Sequence, residues 1–250
     1  MRVLIVNDDG ISSRGILHLA NWAKRFAEVT VCAPRREQSG KSHAINFIDP
    51  FEIVRVELTD GVTAYSVDST PADCTRFGII GLGREYDLVL SGINCGVNMS
   101  GDIVYSGTAG AIFEAEHSNH SAIALSVAKG EPLPDFSVLD GIWDFFEENR
   151  LFDCSRLYNV NIPTNPRGIK ITRQGDAYFS DEFFPTEAGK KNGDDGIYIQ
   201  RGRAVQDTEP EDLTRDTVAF ANGYISITPM TICRTNLPAF EKLAGNNKDS

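Results

Sequence analysis

Short apolar runs of strand length recur along this chain with helical patterns between them, and that alternation most narrows what it can fold into. Val3–Val6, Val29–Cys32, Leu88–Leu90 and Ala122–Val127 read as strands, while Ile16, Leu19, Ala20, Ala23 and Phe26 make one helical face. Strands and helices that alternate in this way predict an α/β fold, a mostly parallel sheet flanked by helices. Ser69-Thr70-Pro71-Ala72-Asp73 reads as a helix entrance: Thr70 caps, Pro71 needs no donor in the first turn, and Asp73 suits the positive end of the dipole. That helix is expected to run to about Leu82. Another begins near Thr108 after a Ser106-Gly107 turn, carries Ala111, Ile112 and Ala115 on one stripe and ends at Asn119, and a further one spans about Ser137 to Asn149. Trp22, Trp143, Phe145 and Phe146 fall on helical periodicity and are assigned to the core.

Charge narrows the partners. The chain has 250 residues, 35 of them acidic against 24 Lys and Arg, a formal net charge of −11 at pH 7. Non-specific affinity for nucleic acid comes from Lys and Arg displacing counterions, and no dense basic block supplies it, so a nucleic-acid polymer is not expected as a partner. Small phosphorylated ligands stay open. At 41% hydrophobic and 24% charged the chain is an ordinary globular one, long enough to bury roughly 70–75% of its unfolded surface. No apolar run approaches the roughly 20 residues that span a bilayer, which excludes a membrane helix. Met1-Arg2 leads straight into Val3–Val6, too short and too soon acidic for a signal peptide, so the chain is expected to open on a strand. Cys32, Cys74, Cys95, Cys154 and Cys233 form no C-x-x-C pair, which points to a reducing, cytoplasmic compartment and to no zinc site.

Composition shifts after about residue 175, where Asp, Glu, Gly and Lys crowd around Phe183-Phe184-Pro185 and Ile197-Tyr198-Ile199 up to Asp216. This reads as an extended arm or hairpin whose apolar residues need another surface, and an oligomer contact is the expectation. Gly223-Tyr224-Ile225-Ser226-Ile227 reads as a late strand, Leu237–Leu243 as a closing helix, and Gly245–Ser250 as a fraying end. The whole of 1–250 is taken as one domain, with a core over 1–173 and the arm, late strand and C-terminal helix over 174–250.

The polar strings that follow the strands carry the chemistry. Asn7-Asp8-Asp9-Gly10 comes directly after the first strand, which in a parallel sheet puts two carboxylates at the carboxyl edge where ligands bind. Asn, Asp and Gly are also ordinary turn formers. Two adjacent carboxylates repel, however, and a hard divalent cation such as Mg²⁺ or Mn²⁺ with oxygen ligands offsets that repulsion. Their adjacency does not fit the Asp-x-Asp of haloacid-dehalogenase-type phosphatases, which puts both carboxylates on one side. Arg35–His43 follows the second strand and combines cations with Ser39 and Gly40; it is either a second wall of the site or a solvated loop. Its Gly-Lys-Ser is no phosphate-cradling P-loop, because Arg35 stands where the first glycine belongs. Ser91–Asn98 follows the third strand run with two amides, Asn94 and Asn98, able to divide metal ligation by a carbonyl and donation to phosphate by an amide nitrogen. Ser106-Gly107-Thr108 opens a helix, which makes it an anion site or a plain cap. His18, His117 and His120 read as structural, and His43 stands apart because it lies in a candidate loop.

Asn7-Asp8-Asp9-Gly10, Gln38-Ser39-Gly40, Ser69-Thr70-Pro71-Ala72-Asp73-Cys74, Ser91–Asn98, Ser106-Gly107-Thr108 and Gly223–Pro229, in this order over nearly the whole chain, resemble the SurE family of metal-dependent survival-protein nucleotidases. The resemblance implies a Rossmann-like domain with a C-terminal extension used in dimer or tetramer exchange. It implies hydrolysis of nucleoside 5′- and 3′-monophosphates, and sometimes of polyphosphate. Matched by motif, Asp8, Asp9, Ser39 and Asn94 are the implied ligands of one divalent metal ion per subunit, Mg²⁺ or Mn²⁺. Asn98, Ser106, Gly107 and Thr108 are the implied phosphate contacts. The chain departs from the family pattern after Pro229, where Met230–Arg234 lacks an acidic residue, and over 174–216.

A phosphomonoester needs its oxygens neutralised, a positioned nucleophile and help for the leaving alkoxide. The expectation is water as nucleophile with Asp8 as its base, or direct attack by Asp8, with Asp9 beside it. Two other readings use the same strings: a receiver-like module with Asp68 as phospho-acceptor and Lys129 as its partner, and a nucleotide-binding module without turnover.

Overall fold

A computed structural model describes residues 1–176, 179–190, 196–205 and 207–245, giving backbone alone for residues 179, 187–190 and 204. The strands are β1 (Arg2–Val6), β2 (Glu28–Pro34), β3 (Ile53–Val56), β4 (Val62–Val67), β5 (Leu88–Cys95), β6 (Ala122–Val127) and β7 (Leu157–Ile162). They continue with β8 (Ile169–Ile171), β9 (Phe179–Lys190), β10 (Gly196–Ala204) and β11 (Ile225–Met230). Among the described residues nine of them form one sheet in the order β3-β4-β2-β1-β5-β6-β7-β11-β8, parallel except where β3 meets β4 and β11 meets β7. β1 and β6 are buried on both faces because helices cover both.

Among the described residues six α-helices accompany the sheet: α1 (Arg14–Ala23), α2 (Pro71–Arg76), α3 (Gly107–His117), α4 (Phe136–Glu148), α5 (Asp216–Ala221) and α6 (Leu237–Gly245). Ile16, Leu19, Ala20 and Ala23 of α1 are buried as their spacing predicts. Phe26 is not: α1 stops at Ala23, so Phe26 falls beyond the helical repeat and is 40% exposed. Thr70 caps α2 by accepting from the Asp73 N–H, and a wider helical turn over Phe77–Gly81 carries the element to Leu82. In place of the predicted stripe, α3 is buried from Gly107 through Ala115, because it lies between the sheet, α2 and the loop after β2. Trp22 and Phe146 are core residues, whereas Trp143 and Phe145 are half-buried at its margin.

After β8 the chain leaves the sheet, forms the β9–β10 antiparallel hairpin, and returns through α5 into β11. Phe183, Phe184, Ile197, Tyr198 and Ile199 of the hairpin are exposed, as the sequence predicts for the arm. The predicted closing helix forms as α6 but closes nothing, since none of its residues is buried. Residues 246–250, most of the predicted fraying end, lie outside the described residues.

Candidate active site

β1 is the switch point of the sheet. From β1 the chain builds one wing through β2, β4 and β3, then crosses back to lay β5 on the other side of β1. The loops after β1 and β5 therefore diverge at their carboxyl ends, the crevice where open α/β sheets take ligands. Asn7 sets the first loop. Its Nδ2 donates to Gly10 O at 3.0 Å and Ser13 Oγ at 2.8 Å, and its Oδ1 accepts from Gly10 N at 3.2 Å. Gly10 sits at φ +95°, and a Cβ there would come within 3.3 Å of Pro34 O and Arg36 C, so the loop needs its glycine. The Asn-Asp-Asp-Gly string is thus a turn, and one that holds two carboxylates.

Three other segments converge on this turn through direct hydrogen bonds, one to the Asp8 main chain and two to the carboxylates. Gln38 N, beside Ser39, donates to Asp8 O at 2.7 Å. Cys95 N, beside Asn94, donates to Asp9 Oδ2 at 3.2 Å. Thr108 Oγ1, at the start of α3, donates to Asp8 Oδ1 at 2.6 Å. Gly107 makes the last approach feasible, because a Cβ there would lie 2.8 Å from Asp8 Cβ. Asp8 is 5% exposed, and burial, countered by the Thr108 hydroxyl and assisted by the Asp9 charge, pushes its carboxyl up from 3.8 to about 6. Burial also pushes Asp9 up; the Cys95 N–H lowers it and Glu37 raises it. Among the described residues no Lys, Arg or His forms an ion pair with either Asp8 or Asp9.

Ser39 is exposed and its Oγ donates to Glu37 Oε1 at 2.7 Å. Asn94 Nδ2 donates to Gly96 O at 2.6 Å, which leaves the Oδ1 as the end able to ligate. Asn98 Nδ2 donates to Ser126 Oγ at 2.9 Å, so one of its two amide hydrogens is used inward. Ser106 Oγ caps α3 by accepting from Ala109 N at 3.1 Å, as the bland reading has it, and its O–H still has a proton to donate. Thr108 is fully buried and its hydroxyl is spent on Asp8. His43 is a fastener: its ring nitrogen meets Glu114 at 2.8 Å, Glu114 also takes Arg76 at 2.9 Å, and the pair locks the Ser39 loop to α3. Burial would raise Glu114, but His43 and Arg76 outweigh it and hold the carboxyl below its usual range.

Asp8, Asp9, Ser39 and Asn94 make up the candidate donor set for a divalent ion. It offers two carboxylates with raised affinity for protons and two neutral oxygens, a hard, all-oxygen set suited to Mg²⁺ or Mn²⁺. No group of three or more His, Cys, Asp or Glu able to hold a metal occurs among the described residues, so any ion here depends on the neutral donors as well.

Asp68 pairs with Arg35 at 3.2 Å at the end of β4, with β2 between it and β1, and Lys129 is exposed beyond β6. The receiver arrangement is therefore not assembled, because its acceptor stands on the far side of β2 from the paired carboxylates.

Asn159 and Asn161 were not singled out by sequence. Both are fully buried on β7, and their Nδ2 groups donate to Asn98 O at 2.7 and 2.9 Å, while Asn161 Oδ1 accepts from Asn98 N at 2.9 Å. The signal was two amides inside an otherwise apolar strand, since buried polar groups require partners. A cavity of about 520 Å³ opens between the Ser39 loop, the turn before Ser106 and the end of β11, with His43, Ile103, Val104, Phe113, Arg173 and Met230 among its walls. Neither Asp8 nor Asp9 lines it. After Pro229, Ile232 N donates to Glu116 Oε2 of α3 at 3.0 Å.

Residues 3–181 match the family model described as Survival protein SurE. A protein named 5′-nucleotidase SurE from Thermosipho africanus is 34% identical over 256 residues, covering 100% of this chain and 98% of that protein. One of the same name from Thermoanaerobacter sp. is 36% identical over 239 residues, covering 92% of each. The crystal structure of the SurE protein from Aquifex aeolicus superimposes with a TM-score of 0.77 at 30% identity, over 99% of this chain and 100% of that one. With its paired carboxylates at the switch point and a match this extensive, the chain belongs to the SurE survival-protein family.

Proposed function

We propose that the chain is a metal-dependent phosphomonoesterase that hydrolyses nucleoside 5′-monophosphates to nucleoside and phosphate, with 3′-monophosphates and polyphosphate as further substrates. The observation that carries this reading is the convergence of three segments on two adjacent acidic residues, Gln38 through the Asp8 main chain and Cys95 and Thr108 through the carboxylates, which form no ion pair with a protein cation among the described residues. The names of the relatives support it from the side of sequence.

In this reading Asp8, Asp9, Ser39 and Asn94 hold one Mg²⁺ or Mn²⁺ ion, which when bound supplies charge neutralisation at the phosphoryl oxygens and acidifies water. Asp8 takes the proton of the attacking water. Thr108 holds its Oδ1, and burial keeps the carboxyl basic enough for the task. Asn98, Ser106 and the start of α3 at Gly107 and Thr108 face the phosphate with an amide, a hydroxyl and helix N-terminal N–H groups. The cavity beside the Ser39 loop takes the nucleoside. The exposed arm and α6 pair with further copies in a homodimer or homotetramer, with residues 1–173 as the core and 174–250 as the exchanging part of a single domain. Five free thiols fit a reducing, cytoplasmic setting.

The test is phosphate release from a panel of nucleoside monophosphates and para-nitrophenyl phosphate, with Mg²⁺, Mn²⁺ or EDTA. Release is expected only with metal, and Asp8→Asn should cost about a thousandfold in kcat by removing a charged group from the reacting centre. An acyl-phosphate found on Asp8 in quenched reactions replaces water by Asp8 as the nucleophile. Nucleotide binding without release by folded, metal-loaded protein makes the chain a binding module.

A further inference from the structure

The segment from the end of β5 to the start of α3 carries Asn98 and Ser106 and is held from two sides. On one side the β7 amides of Asn159 and Asn161 fasten the Asn98 main chain. On the other, Ser100 is fastened by residues from the root of the arm. Its N–H donates to Asp216 Oδ2 at 2.9 Å, and its carbonyl accepts from Gln174 Nε2 at 2.8 Å. Ser100 is fully buried with φ at +56°, a left-handed conformation that a serine keeps only when its surroundings enforce it.

Asp216 has no exposed surface, and its second oxygen accepts from Gly175 N and Thr217 N, each at 2.8 Å. One carboxylate thus gathers three main-chain N–H groups: one before the arm, one after it, and one in the middle of the β5–α3 segment. Buried carboxylates cost free energy unless they are hydrogen-bonded, so Asp216 is held in place as firmly as it holds. Gln174 and Asp216 stand at the entry and exit of the arm, so both strands of its root reach Ser100.

We infer that Asp216 is a positioning residue for phosphate binding, acting through Ser100 to set Asn98 and Ser106 on either side of it. This rests on the assignment of Asn98 and Ser106 as phosphate contacts. Of the metal-binding groups, Asp8, Asp9 and Ser39 are on other loops, and Asn94 lies in β5, where its pairing with Ser126 of β6 holds it apart from Ser100.

Asp216→Asn isolates the effect. The remaining oxygen serves Gly175 and Thr217, and the new NH₂ faces the Ser100 N–H donor to donor. With metal-loaded full-length protein, KM for adenosine monophosphate and the inhibition constant of orthophosphate are expected to rise about tenfold, with kcat within about threefold. Gln174→Ala, a milder change at the same serine, should raise both about threefold. Mn²⁺ affinity by titration calorimetry should stay within about twofold in both variants, because Asp8 and Asp9 are untouched. A purely structural role lowers Tm and leaves KM and the orthophosphate constant as in wild type, and that result overturns the inference. So does a tenfold loss of Mn²⁺ affinity. If Asp216→Asn does not fold, Gln174→Ala decides by the same two constants. Wild-type protein that releases no phosphate from any nucleotide overturns the phosphomonoesterase reading itself, and that failure is read without any variant.

Discussion

Asp8 is almost completely out of water, has Asp9 as its neighbour, and is partnered by a hydroxyl where a cation would neutralise it. Its carboxyl therefore holds a proton up to about 6, against 3.8 in an exposed position. The sign follows. Between those two values the folded chain binds a proton that the unfolded chain has lost, so the stability this proton contributes is lost as pH rises through about 6. A divalent cation should replace it above that pH. With Mn²⁺ at about a hundred times its dissociation constant, stabilisation of about 2.7 kcal/mol, or about 5–10 °C in Tm, is expected at pH 7.5. At pH 5, where proton and metal compete for the same oxygens, the shift should largely vanish. Thermal scans with Mn²⁺ and with EDTA at the two pH values check this; equal shifts at both would disconnect the metal from Asp8. Asp8 and Asp9 were legible as a pair from their place after the first strand. That Thr108 spends its hydroxyl on Asp8 was not, because the contact joins residues 100 apart in the chain.

At the scale of elements, a buried cation gathers the root of the arm. Arg215 is 6% exposed and meets Asp176 at 2.7 Å, Asp207 at 2.6 Å and Glu209 at 2.9 Å. The Thr208 hydroxyl and then Arg215 hold Asp176 below the usual carboxylate range. Burial pushes Asp207 up, but the Thr217 hydroxyl, two backbone N–H groups and the Arg215 charge outweigh it and the net shift is downward. Carboxyls held low contribute stability above their unfolded values and lose it as pH falls through the folded ones. The root should therefore loosen as pH falls below the usual carboxylate range and these carboxylates take up protons, ahead of the sheet. Hydrogen exchange from pH 6 down to pH 3 should show protection lost first around residues 174–176 and 207–217. Loss in β1 and β6 at the same pH would refute a separate root. The hairpin itself was legible in its apolar patches between charged stretches. Its root was not, because Asp176, Asp207 and Arg215 look like ordinary surface charges until the chain doubles back. Strands β3, β4, β7 and β8 also escaped the sequence reading. β3 and β8 are short edge strands, β4 mixes Thr, Tyr and Ser with its apolar residues and is only half-buried at its start, and β7 has amides in its middle.

Among the described residues the arm and α6 are two of the places that leave apolar surface uncovered. Phe183, Phe184 and Ile197 are exposed on the hairpin, and Leu237, Phe240 and Leu243 recur on one side of α6 at 53, 58 and 66% exposure. Apolar patches of this kind mark contact surfaces, and two on one chain fit exchange between copies. Light scattering after size exclusion is expected to give the mass of a dimer or tetramer, with Phe183→Glu and Phe240→Glu shifting it toward monomer. A wild-type monomer at micromolar concentration would contradict this.

What the sequence by itself determined is local: strand-length apolar runs, capped helix starts, and polar strings directly after strands, because periodicity, capping and turn chemistry act over a few residues. Those sufficed for the α/β class, for reading Asp8 and Asp9 as a pair after the first strand, and for singling out the strings of Ser39, Asn94, Asn98 and Ser106 as candidates beside them. The tertiary structure decided which partners those loops have. The strand order that sets β5 beside β1, the Asn159 and Asn161 grip on Asn98, the His43–Glu114 fastening and the Asp216 hold on Ser100 all join residues at least 60 apart. Such contacts are set by how the sheet stacks and where the arm returns, and no window of sequence contains both of their ends.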